Sequence, residues 1–161
     1  MRVPVRLVAA LLPLAAVLAP CSAQAAAQPG LRTFGTHHAA GGPVREGSPD
    51  SAVDRVADFY GAYIDAVSDG TDNLSHELRS HYLTHDFQHR LTVWEEANHA
   101  DGVLRAQDVP THWEVRYHDS GAGHLFTTVT LTWGTGPHAA HTRLAVQSDL
   151  STKLISDIEE G

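Results

Sequence analysis

One change of hydrophobic period limits what this chain can fold into. Up to about Asn98 the apolar residues recur at helical spacing, and from Trp113 onward they alternate. Between the two lies the joint Asp101-Gly-Val-Leu-Arg-Ala-Gln-Asp108, closed by Val109-Pro110. Helices followed by strands specify an α+β domain, here three helices packed on one face of an antiparallel sheet of about four strands.

On the helical side, Val53, Val56, Ala57, Tyr60, Tyr63, Ile64 and Val67 fall on one stripe, with Asp54, Asp58, Asp65 and Asp69 opposite. Ser51 and Asp54 make a capping box and Gly70 a stop. Tyr60 and Tyr63 sit on the buried stripe, so their hydroxyls need partners. A second helix over Asp72 to Tyr82 has Leu74, Leu78 and Tyr82 in phase. A third, starting at the N-cap Thr84, carries Leu83, Phe87, Leu91 and Trp94 on a stripe half a turn out of phase, which is why the two are separate.

Beyond the joint, Trp113, Val115 and Tyr117 alternate with Glu114, Arg116 and His118, and Asp119 to Gly123 reads as a loop. The strand His124 to Trp133 follows, with Leu125, Val129, Leu131 and Trp133 on one face and Phe126, Thr128, Thr130 and Thr132 on the other. Gly134 to Pro137 turns the chain into a strand ending at Gln147, and Leu154 to Ile158 closes the sheet. The threonine-rich outer face suits solvent or a flat homodimer contact.

Ahead of the domain, residues 1–27 resemble an export signal, with Arg2 and Arg6 before the apolar run Leu7 to Leu18 and small residues to Ala27. Twelve apolar residues are too few for a membrane span, which takes about 20. Leu18-Ala19-Pro20-Cys21 is similar to a lipoprotein signal, from which Pro20 departs; ordinary cleavage discards Cys21, and acylation of Cys21 is the competing outcome. Residues 28–49 read as a disordered tether rich in Gly, Ala, Pro and His, including the solvated pair His37-His38, and the domain as 50–161. The expected address is secreted or extracytoplasmic.

Cleavage after Ala27 leaves nine basic side chains against 19 acidic ones, a net charge of −10. Such a charge argues against nucleic acid or anionic lipid as partner. Without Cys21 no disulfide can form, so stability rests on packing. The sequence holds no nucleophile elbow, phosphate loop or paired cysteines, and implies no cofactor. His85 and His89 at helical spacing, with Glu96 seven residues on, are the one candidate metal set, set against an ordinary polar helix face.

The three helices, the joint and the terminal meander resemble the nuclear transport factor two-like superfamily, the cystatin-like cone. Asp101-x-x-Leu104-x-Ala106-Gln107-Asp108, with His141 to Val146 downstream, is similar to a family of small exported bacterial proteins and lipoproteins within it. The resemblance runs from about Ser51 to Glu159 and implies a curved sheet that encloses a pocket with the helices. Its last strand departs from the pattern by lacking a tryptophan.

Such a pocket would be lined by Tyr60, Tyr63, Trp94, Gln107, Asp108, Trp113, Tyr117 and Trp133, an aromatic wall suited to a small apolar molecule. Each residue has a plainer role available: an Asx turn for Asp108, backbone satisfaction for Gln107, core packing for the tryptophans. The expectation is an exported, non-catalytic module that binds a small apolar ligand or an extracytoplasmic protein. The alternative is a pocket enzyme of isomerase or dehydratase type with Asp108 as general base, and a weaker one is metal binding.

Overall fold

A computed structural model describes residues 45–161. The export signal, Cys21, His37-His38 and most of the tether lie outside them. Helices α1 (Ala52–Ser68), α2 (Asp72–Tyr82) and α3 (His85–Asn98) precede strands β1 (His112–Gly121), β2 (His124–Trp133), β3 (Ala140–Asp149) and β4 (Ile155–Glu160). The strands form one antiparallel meander in the order β1-β2-β3-β4, with the helices on one face and the sheet not closed. None of the described helices is long and apolar enough to cross a membrane.

Local chemistry sets the helix ends. Ser51 Oγ accepts the Asp54 N–H at 3.1 Å. The capping box forms only by half, because the Asp54 carboxylate takes the Ser48 N–H instead. Gly70, at φ 64°, closes α1 with paired bonds from its own N–H to Val67 O and from Thr71 N–H to Ala66 O, as a helix-ending glycine does. Thr84 caps α3 at Phe87 N–H, and its own N–H donates to Ile155 O at 2.9 Å, tying the α2–α3 break to β4.

The core lies between the helices and the sheet. Val56, Phe59, Tyr60, Tyr63, Phe87 and Leu91 meet Val129, Leu131, Leu144, Val146, Ile155 and Ile158, with Val103 and Leu104 of the joint between them. Phe59, outside the expected stripe, is fully buried, its ring 5.3 Å from Tyr63 and 5.5 Å from both Tyr60 and Tyr82. The buried arc of α1 is wider than one stripe because α2 covers its flank. By contrast α2 buries no residue fully, and Leu74 faces solvent.

Two further expectations change. β1 continues through Asp119 to Gly121, past an irregularity between Tyr117 and Asp119, and turns at Ala122 and Gly123, both at positive φ. That two-residue hairpin, rather than a five-residue loop, fits the strand twist. Residues 45–49, assigned above to the tether, lie against the domain: the Arg45 guanidinium sits 5.3 Å from the Trp113 ring centre and pairs with Asp58.

Candidate functional site

The joint is held from both ends. Asp101 Oδ1 accepts the N–H groups of Val103 and Leu104, both at 2.8 Å, and Asp101 N–H donates to Ala106 O. The tight turn drives Val103 and Leu104 into the core and puts Arg105 at φ 54°, a left-handed conformation costly for a residue with a Cβ. Gly102 suits this close approach: a Cβ would stand 2.8 Å from Leu91 Cδ2 and 3.0 Å from Glu95 Oε1, so both side chains would have to shift.

The other carboxylate oxygen of Asp101 enters a polar knot joining all three helices. Tyr63 of α1 donates to Asp101 Oδ2 at 2.6 Å and accepts from Arg79 of α2 at 2.9 Å (Nε) and 2.5 Å (Nη2). Arg79 grips Glu95 of α3 with both ends, at 3.0 and 2.6 Å, and Glu95 Oε1 also accepts the Gly102 N–H. Burial opposes the charge on Arg79, yet Glu95, Tyr63 and Asp101 together hold its proton more tightly than in water. Burial, then the Asp101 carboxylate, push the Tyr63 hydroxyl well above the usual phenol range. Every polar atom here answers another, the arrangement of a structural clasp rather than of a site awaiting substrate.

The eight candidate pocket residues do not converge. Tyr60 is sealed in the core with its hydroxyl toward Val103 O, and Tyr63 belongs to the clasp. Trp113 packs on the core under Arg45, while Trp133 packs at the core's margin and donates to Thr142 Oγ1 at 3.0 Å. Trp94 lies half-buried beneath the Arg105 guanidinium at 4.2 Å, and Tyr117 is 57% exposed. Gln107 is exposed and donates to His99 O, the backbone role available to it. The expected pocket between helices and sheet is occupied by the protein's own rings, because in so small a domain large aromatics fill the core.

Asp108 is exposed on the surface and, among the described residues, faces no enclosed cavity in which a substrate could meet it as a base. Nor does it hold an Asx turn; Asp101 and Asp149 do that work. His85, His89 and Glu96 project into solvent along α3, and among the described residues no three His, Cys, Asp or Glu side chains gather for a metal. Glu96 lies two turns, about 10 Å, beyond His89 along the axis, too far to close a shared ligand set.

Among the described residues nothing covers the sheet face away from the helices. The pairing aligns Arg116, Thr128, Ala145 and Glu159 in one row across the four strands, Glu114, Thr130 and Arg143 in the next, and Phe126, Gln147 and Asp157 on the other side. Two recesses of about 520 Å³ each cross it, one around Phe126, Thr128 and Ala145, the other around Arg116, Thr130 and His141. Charge is divided across this face. Arg116, His118, His141 and Arg143 stand on β1 and β3, with Glu114 paired to Arg116 at 2.5 and 3.0 Å and Asp119 beside Phe126, while Asp157 and Glu159 stand on β4.

No protein-family model matches the chain, and no curated protein matches it. A crystal structure of a protein of unknown function from Bacteroides thetaiotaomicron VPI-5482 superposes with a TM-score of 0.51 at 22% identity, covering 67% of this chain and 88% of that one. At that identity the likeness speaks for the fold alone.

Proposed function

We propose that this chain is an exported, non-catalytic interaction module whose working surface is the open sheet face and whose first partner there is a second copy of itself. One observation carries the reading: among the described residues the interior is filled, while the outer face is uncovered and carries Arg116 and Glu159 at opposite edges of one row. A two-fold axis along the strands in the plane between two facing sheets sets β1 of one copy over β4 of the other. Arg116 then opposes Glu159 of the second copy, since both lie in one row. Thr128 and Ala145, between them in that row, are small enough for sheets to approach at about 10 Å. The same reading assigns the chain to the nuclear transport factor two-like superfamily, supported by three helices ahead of a meander and by the Asp101-to-Asp108 joint.

Sedimentation equilibrium of the chain beginning at Gln28 tests it. A dimer is expected, weakened by Arg116→Glu or by Glu159→Arg alone and restored when both are present, because the reversed pair meets across the same axis. A monomeric wild type, or a double variant no better than either single one, would sink the proposal.

A further inference from the structure

A second recess, of about 410 Å³, lies at the C-terminal end of α3 beside β4, lined by Trp94, Asn98, Arg105, Ile158, Glu159 and Glu160. Arg105 is built into it at a cost. Its backbone is left-handed, its guanidinium is stacked on Trp94, Nη2 donates to Ile158 O, and Nε is buried with no partner. Nη1 makes no hydrogen bond among the described residues. Burial lowers the guanidinium's hold on its proton, and Glu160 is the carboxylate that most offsets this. Yet among the described residues Arg105 enters no ion pair within 4.0 Å. A half-buried cation and the Glu160 carboxylate therefore share one recess without touching, while the side chain of Glu159, next along the strand, belongs to the open sheet face.

That separation excludes the simplest ligands. A plain anion satisfying Arg105 would be repelled by Glu160, and a plain cation by Arg105. A molecule carrying both charges satisfies both sides. We infer that this recess binds a zwitterionic α-amino acid with an apolar side chain, its carboxylate on Arg105, its ammonium on Glu160, and its side chain against Trp94 and Ile158. The negative end of the α3 dipole, near Asn98, further favours the ammonium. The remaining charge-bearing contact, guanidinium to carboxylate, is the geometry arginine recognises best.

The probe is L-leucine added to the ¹⁵N-labelled chain beginning at Gln28, observed through the Trp94 indole and Asn98 amide signals, with leucinamide, N-acetylleucine and inorganic phosphate as comparisons. Saturable leucine binding is expected, weaker by about tenfold or more for each derivative, since each lacks one charged contact. Glu160→Gln, on an exposed side chain, should weaken leucine by a similar factor and strengthen N-acetylleucine, a plain anion relieved of the repelling carboxylate; Arg105→Met should abolish binding of leucine. Absence of saturable shifts at about millimolar leucine, a range of weak small-ligand affinity, would overturn the site. So would equal binding of leucine, N-acetylleucine and phosphate, the signature of a plain anion site.

Discussion

Removing the Arg79 guanidinium would leave Glu95 and Asp101 facing each other, only 24% and 21% exposed, with no cation between them. Arg79→Met should therefore destabilise the fold by about 2–4 kcal/mol, less than for a fully buried pair because water reaches the rim. Tyr63→Phe, which removes one hydroxyl but no charge, should cost about 1–2 kcal/mol. Arg79→Lys should behave nearly as badly as methionine, since an ammonium cannot grip Glu95 with two ends while bonding Tyr63. Urea denaturation of the three variants measures the order, and a lysine variant as stable as wild type would disprove the bidentate role. The need for this clasp was half legible: buried tyrosines at 60 and 63 demanded hydroxyl partners. Its members lie 16 and 38 residues from Tyr63, and no helical period reports a contact of that range.

Between elements, one carboxylate organises the turn from β3 to β4. Asp149 Oδ1 accepts from the Ser151 hydroxyl at 2.6 Å and from the N–H groups of Thr152 and Ser151 at 2.9 and 2.8 Å. These bonds favour the carboxylate and hold its pKa at about 2 against an ordinary 3.8. A depressed pKa gives stability that is present in full above pH 3.8 and drains away as the pH falls toward 2. An NMR titration of the Asp149 carboxyl carbon should show a midpoint near pH 2; one at the ordinary aspartate value would mean the turn is not formed in solution. Asp149→Asn should loosen the turn at neutral pH and remove its acid sensitivity. Helix ends were the most legible elements, because Gly70 and Thr84 act on their own neighbours. The tail of β1 was not: Asp119-Ser-Gly-Ala-Gly123 has loop composition, and only its pairing with Phe126, Leu125 and His124 makes it a hairpin.

For the molecule as a whole, composition and period led to the right layers but to the wrong interior. The alternation that places Trp113 and Trp133 on the helix side applies equally to a lined pocket and to a packed core, and the volume left after Phe59, Tyr60 and Phe87 are buried decides between them. The same packing moves the edge of the domain. Arg45 stacks on Trp113 and pairs with Asp58, Ser48 N–H caps Asp54, and Lys153 reaches Asp50 at 3.4 Å. The ion pairs are exposed and worth little singly, whereas the stacked guanidinium is worth about 0.5–1 kcal/mol. A chain beginning at Asp50 should thus remain folded but lose about 1 kcal/mol relative to one beginning at Pro43, lowering Tm by about 4 °C for a domain of this size. Arg45→Ala in the longer chain should reproduce most of that loss, because the stacking contact goes with it. If the two chains melt together, residues 45–49 are tether after all, and the folded unit begins at the α1 cap.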